Sequence, residues 1–438
     1  MSNHKLIHRK RNKVLGIPEL IAIALGGMVG GGIFTILGIS VSMVGAYTPF
    51  AIALGGLLAL LAAYSYVKLG IYYKDEGASY SFYKRTFPNF PFAASLVGWW
   101  VIFGYISTIA LYAYTFSSYA LSASNFANNE WARKSVAALV ILTFTLINVW
   151  SVKGMGKIED IMVYSKLVIL VVISFVLINN SQTTLPVLLT SHHLSGNGIN
   201  IFSIFIVASV TFVAYEGFQL VINAVNEMDR PEKSIPKAIY TAILLCILIY
   251  IVISLGAILA IPFDDIIENK EYALAAGAEK ILGHWGTDLV ILGALLATSS
   301  AISGTLFGAS RQVSVIATDH YLPSFLSHKV NSIPIFAIIG IALLAIFLVF
   351  IGNLELILEF GSITFLFVSI LMTYANYKVR NLTGSSLAII LPAFFGLVAG
   401  TLAILYYEFT YQPQQILFTT GIYGCLTLGA WLYSKKSI

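Results

Sequence analysis

Apolar residues in this chain come in long unbroken runs. They lack the striped spacing of a water-facing helix and the strict alternation of a half-buried strand. One run reads IMVYSKLVILVVISFVLI, from Ile161 to Ile178. About 18 apolar residues carry a helix across the hydrocarbon of a bilayer. Comparable runs lie near 17–44, 48–67, 92–122, 135–151, 158–178, 199–225, 235–261, 286–309, 334–351, 355–377, 386–407 and 413–434. The pattern predicts an all-α integral membrane protein with twelve transmembrane helices. Composition agrees: the 438 residues are 58% apolar and 10% charged, where soluble domains carry about 25% charged residues. The first apolar run lacks a small-residue cleavage site, so no cleavable signal peptide is expected. Cys246 and Cys425 sit inside apolar runs and read as packing residues, without a disulfide framework or a metal site.

Charge adds orientation. With the N-terminus placed in the cytoplasm, twenty of the 25 Lys and Arg residues fall on that side of the spans. Five are in the tail (Lys5, Arg9, Lys10, Arg11, Lys13), two are at the C-terminus (Lys435, Lys436), and the rest are in even-numbered connections. Only Arg133, Lys134, Lys270 and Lys280 fall on the other side, and Lys166 lies within a span. The positive-inside rule then puts both termini in the cytoplasm and requires an even number of spans. The net charge of +5 is therefore a topology signal, and no nucleic-acid partner is expected. The adjacent His192 and His193 lie in an external loop and are poorly spaced for a metal.

Two spans are poor continuous helices. The first holds Gly26, Gly27, Gly30, Gly31 and Gly32 at its centre, and glycine costs about 1 kcal/mol per residue in a helix interior. Unwound backbone at membrane depth survives where it lines a cavity, and amides opening a half-helix attract an anion such as a carboxylate. The alternative is a small-residue seam for close packing. The sixth span places Tyr215, Glu216 and Gly217 together at its middle. Paired interruptions at corresponding positions of two five-span units point to a transporter site.

Lys166 interrupts the run 161–178 with no other charge in it. Its stem is too short to bring the amine to the headgroups, and a charge at that depth needs a polar protein interior. Burial penalises the charged form of an amine, which suits a group that gains and loses a proton. Glu216 is the other deep charge. It reads as a protonated acid, a partner for Lys166, a reader of a substrate group, or a residue used mainly for its backbone carbonyl.

Four segments carry a resemblance: GGMVGGGIF in span one, FVAYEGF in span six, NEMDRPEKSIPKAI after it, and TDHYLP at residues 318–323. Together they resemble the amino acid–polyamine–organocation transporters, and especially prokaryotic proton-coupled permeases with a lysine in span five. The resemblance implies a LeuT-like 5+5 inverted repeat with broken helices 1 and 6, plus two C-terminal helices. The organisation would be a cytoplasmic tail 1–16, repeats 17–178 and 199–377, and helices eleven and twelve at 386–434. It implies that Gly31 and Gly32, with Gly30 beside them, present amides to a substrate carboxylate. Carbonyls near Met28, Phe212, Val213 and Glu216 would hold the ammonium, with Phe212 or Tyr215 as an aromatic lid. Lys166 would sit where sodium-coupled relatives hold a cation, donating to the Gly26 carbonyl and to a hydroxyl of span eight. Ala297 occupies the aligned hydroxyl position, so Thr298 is expected to substitute.

The function implied is secondary active transport of amino acids across the plasma membrane by alternating access, as proton-coupled symport, with exchange or polyamine/amine transport on the same fold as the alternative. Protons would be the coupling ion and no cofactor is expected. The partners are a small-molecule amino acid and the lipid bilayer; the oligomeric state is open. A membrane-embedded enzyme would need catalytic side chains clustered at one depth, and only Lys166 and Glu216 are deep and charged. A receptor would need a sizeable soluble domain, and two midplane breaks favour alternating access over an open pore.

Overall fold

A computed structural model describes residues 15–150, 152–190, 201–330 and 333–436. The basic residues of the N-terminal tail, and His192 and His193, lie outside them. Among the described residues the chain is helical, with isolated bridges at Leu15–Met228 and Val330–Ile333 and no strand. Ten helical segments are long and apolar enough to cross a membrane, and two shorter apolar helices accompany them.

The first expected span is two helices, α1 (Ile17–Met28) and α2 (Gly32–Val44). There follow α3 (Thr48–Tyr73), α4 (Ala78–Thr86), α5 (Pro91–Leu121), α6 (Glu130–Trp150), α7 (Val152–Asn179) and the short α8 (Leu185–Thr190). The sixth span is helical in pieces: α9 (Ile201–Val210), a 3₁₀ turn at Thr211–Tyr215, and α10 (Leu220–Asn223). Beyond it come α11 (Pro231–Ala260), α12 (Phe263–Glu268) and α13 (Ala273–Thr318), the last kinked at Gly283 where φ is 63°. The chain ends with α14 (Ile335–Ile351), α15 (Leu354–Lys378), α16 (Arg380–Thr383), α17 (Leu387–Tyr411) and α18 (Pro413–Lys436). Proline opens α1, α3, α5 and α11. At the first turn its fixed φ suits the helix and its missing N–H leaves no bond unmade.

The long helices α5 and α13 pack together at the centre, with α15 also on α5 and α11 on α3. The half-helix α1 lies against α7, α10, α11 and α13. At the periphery, α17 covers α3, α9 and α15, while α18 packs on α5. Both broken segments end up enclosed: Ala24–Val41 and Ile206–Val225 are buried without interruption.

Polar networks tie the helices together at both ends. At the end where α1 begins, Lys84 pairs with Asp319 at 2.9 Å and Tyr80 donates to the same carboxylate at 2.8 Å. Asn223 donates to the Glu76 carbonyl at 2.8 Å, and Gln312 to the Gly77 carbonyl at 3.1 Å. Glu227 meets Arg311 at 3.6 Å, while its carbonyl receives the Leu15 amide at 3.1 Å. At the opposite end Arg133 pairs with Glu271, and Lys270 with Glu355. Lys134 donates to the Phe350 carbonyl at 3.0 Å. Here α2 also presses on the loop after α12: a Cβ at Gly38 would stand 2.1 Å from the Lys270 carbonyl oxygen.

Candidate functional site

Helix α1 continues through Gly26 and Gly27 and stops at Met28, so the break is narrower than the glycine run suggests. Val29 leaves helical geometry with ψ of 63°, and α2 restarts from Gly31. The first i→i−4 bond of α2 runs from the Thr35 amide to the Gly31 carbonyl at 2.9 Å. The amides of Gly31, Gly32 and Ile33 lie ahead of it, at the positive end of the helix. Close packing explains the glycines here. A Cβ at Gly30 would come within 2.4 Å of the Ala301 Cβ, and one at Gly31 within 2.9 Å of the Thr115 hydroxyl. One at Gly32 would lie 2.8 Å from both the Ala214 Cβ and the Tyr250 hydroxyl.

The second break runs from Thr211 to Gln219. Glu216 is extended, with ψ of 134°, and Gly217 has φ of 147°. That conformation is open to glycine and strained for other residues. The breaks touch through glycine backbone: a Cβ on Gly217 would stand 2.5 Å from the Met28 nitrogen, and one on Gly27 3.0 Å from the Gly217 Cα. Tyr250 from α11 joins them, its hydroxyl lying 2.7 Å from the Met28 carbonyl and 3.1 Å from that of Ala214. Tyr112 from α5 donates to the Gly27 carbonyl at 2.8 Å. From α15, the Ser362 hydroxyl bonds the Val210 carbonyl and receives the Val213 amide at 3.3 Å.

Lys166 is fully buried, and its Nζ meets the broken helix. It donates to the Gly26 carbonyl at 3.1 Å, to the Val29 carbonyl at 2.6 Å and to the Ser300 hydroxyl at 2.7 Å. The Gly26 contact falls where the sequence placed it. The hydroxyl differs: Thr298 is buried but turns its Oγ1 to its own helix, donating to the Ala294 carbonyl at 2.7 Å. Ser300 supplies the contact because two further residues turn a helix by about 200°. The expected alignment had placed that contact on the opposite face.

Met28, Phe212, Val213 and Glu216 all border the breaks and are buried. The Met28 carbonyl already accepts from Tyr250 and, at 2.9 Å, from the Gly30 amide. A carbonyl has two lone pairs, so a ligand ammonium reaches this one by displacing a donor. Glu216 accepts from Gln219 at 2.6 Å through one oxygen, while its Oε1 has no hydrogen-bond partner. Tyr105 donates to the other end of that amide at 3.4 Å. Tyr215 is anchored to α3, donating to the Ile52 carbonyl at 2.7 Å. Tyr112, Tyr250, Ser300 and Ser362 escaped the sequence reading. Their signal was a polar group buried mid-span, which must find a partner.

The site thus gathers opposed polarities at the two breaks: helix-opening amides on α2, carbonyls at the end of α1, a buried amine, and a carboxyl with one oxygen unengaged. The amino acid permease family model matches residues 15–431. An uncharacterised protein of Methanocaldococcus jannaschii is 29% identical, covering 91% of this chain and 90% of its own. The inner membrane transport protein YbaT of Escherichia coli is also 29% identical, covering 90% of this chain and 88% of its own. The branched-chain amino acid permease BcaP of Bacillus subtilis is 24% identical over 72% of this chain and 69% of its own.

Proposed function

The chain belongs to the amino acid permease family, and from that premise we propose a proton-driven symporter of amino acids working by alternating access. It is a multi-pass membrane transporter and not an enzyme. The reading adds twelve spans, counting α1 with α2 and α9 with α10 as one broken span each. It places 17–178 and 199–377 as inverted repeats and 386–434 as two added helices. Both termini face the cytoplasm in this reading, supported by the distribution of basic residues.

A substrate carboxylate sits at the amides of Gly31 and Gly32, with Gly30 giving the backbone its close approach. The ammonium is received by carbonyls of Met28, Phe212, Val213 and Glu216, and Tyr250 yields its bond to Met28 as the substrate enters. The coupling group is Lys166, with Gly26 as acceptor and Ser300 in the place expected for Thr298. When Nζ loses its proton, one of three donors is gone, and its hold on the end of α1 at Gly26 and Val29 loosens. Proton occupancy thereby biases the hinge on which α1 turns. Arrival of the proton from outside and its release inside would drive the cycle.

The observation that carries this reading is the Lys166 amine joining the Gly26 and Val29 carbonyls, where α1 breaks, to Ser300 of α13. The test uses proteoliposomes with an imposed pH gradient and the amino acid that most raises the melting temperature in a screen of the common twenty. Lys166→Ala is expected to lose gradient-driven accumulation. Unchanged accumulation would remove Lys166 as the coupling group. Gradient-independent counterflow in the wild type, without accumulation, would favour exchange over symport.

A further inference from the structure

A second buried polar centre lies away from the broken helices, between α15, α17 and α18. Glu359, in the second turn of α15, is 3% exposed, and Glu408, near the end of α17, is 0% exposed. Glu359 Oε2 and both carboxylate oxygens of Glu408 have no hydrogen-bond partner among the described residues. The two carboxyls lie within electrostatic reach of each other. On α18, Thr419 is 2% exposed and its hydroxyl also lacks a partner. Thr419 is one turn from Tyr423, which is within reach of Glu408. Two buried carboxyls with oxygens left over, inside a membrane protein, need a neutralising ligand.

The chemistry limits the occupant. An unpaired carboxylate is costly to bury, and two close together repel as well. The titratable groups facing the pair are Glu355 on the same helix, Tyr407 on α17 and Tyr423 on α18. Glu355 is itself paired with Lys270. Across the interface α5 presents Ser107, which donates to the Ile357 carbonyl at 2.7 Å. A divalent cation takes six or more oxygens, typically with several carboxylates. Among the described residues no group of three or more acids, histidines or cysteines is placed to hold a metal ion. A proton satisfies the pair with one ligand: water delivers it, an O–H bond forms on one carboxylate, and the reverse step returns it to water.

The position of Glu359 gives such a proton an effect. Three residues on, the Ser362 hydroxyl binds the unwound segment at Val210 and Val213. A Cβ at Gly361 would stand 3.1 Å from the Val213 side chain, so α15 and that segment are closely packed. We propose that Glu359 and Glu408 form a proton-binding site separate from Lys166, and that its occupancy adjusts the unwound segment 211–219 through Ser362.

The transport reading is not needed to test this, because both readouts use purified protein without substrate. Infrared spectra should contain the C=O stretch of a protonated carboxyl that is lost in the Glu359→Gln/Glu408→Gln double variant and shifted or lost in at least one single variant, because the pair holds one proton. Hydrogen exchange of peptides covering 211–219 should vary with pH, beyond the intrinsic chemical rate, in the wild type and not in the double variant. Either single variant serves if the double variant does not fold. An infrared band unchanged by all three variants would show the carboxyls to be ionised and end the proposal. So would a wild-type melting temperature that rises with sodium or potassium chloride at fixed pH while that of the variants does not. Identical exchange behaviour in wild type and variants would end the link to segment 211–219.

Discussion

At the scale of single residues, the glycines of the breaks do different jobs. Gly217 is required for its backbone: φ of 147° is a conformation that a Cβ makes strained, and that Cβ would also strike the Met28 nitrogen. Gly217→Ala is expected to cost about 1–3 kcal/mol from strain alone, read as a lower melting temperature. Gly31 is required for space, and the proposed carboxylate site adds a use for its amide. Gly31→Val would press on Thr115 and Tyr112 and block the carboxylate position. The expected result is a folded, monodisperse protein whose melting temperature no longer rises with the amino acid that stabilises the wild type. A retained rise would place the carboxylate elsewhere. Lys166 differs from both, since its role is fixed by what surrounds it. Its three oxygen partners come from two elements, so it reports on their separation.

At the scale of elements, the two interrupted spans behave as one unit. Their glycine backbones are in contact, and the Tyr250 hydroxyl ties the Met28 carbonyl to that of Ala214. Tyr250→Phe removes that tie with little change of shape and leaves buried carbonyls short of a donor, at about 1–3 kcal/mol for an unsatisfied group. Exchange protection of residues 211–219 should fall in this variant, and so should that of 28–32. Protection lost in one segment alone would mean the breaks move independently. How much of this was readable beforehand follows from what each signal depends on. The apolar runs and both interruptions were legible, because hydropathy and glycine content act locally. The extent of the first break was not: Gly26 and Gly27 stay helical because Gly27 packs on Gly217, a contact 190 positions away in the chain. Ser300 in place of Thr298 was missed for a similar reason. Adjacent hydroxyls on one helix differ by the face they present, and only the packing of α13 against α7 decides which face meets Lys166. The Glu359–Glu408 pair was illegible because each acid stands near the end of an apolar run, where a solvated carboxylate is the ordinary expectation.

At the scale of the molecule, the site is closed at both ends by ion pairs and hydrogen bonds. Asp319 of the TDHYLP segment receives both Lys84 and Tyr80, which gives that motif a task in holding α4 to the end of α13. Asp319→Asn keeps the shape and weakens the charge pair. The expected outcome is greater labelling, by a membrane-impermeant thiol reagent, of a cysteine introduced at Ser79. Labelling equal to that of the same cysteine in an otherwise wild-type chain would remove the pair from the closing of this end. The opposite end depends on Lys270 and Glu271, adjacent residues that reach α15 through Glu355 and α6 through Arg133.

The contact of Gly38 with the Lys270 backbone ties these pieces into a lever. With no side chain between them, α2 cannot tilt toward that loop and has to carry it along or part from it whole. Either movement pulls on the tethers to α6 and α15 at the same moment. Release at this face should therefore be abrupt, with the latches failing together and few half-open forms populated. A single added methyl, Gly38→Ala, would set its Cβ against the Lys270 carbonyl and force α2 and that loop apart, read as a lower melting temperature.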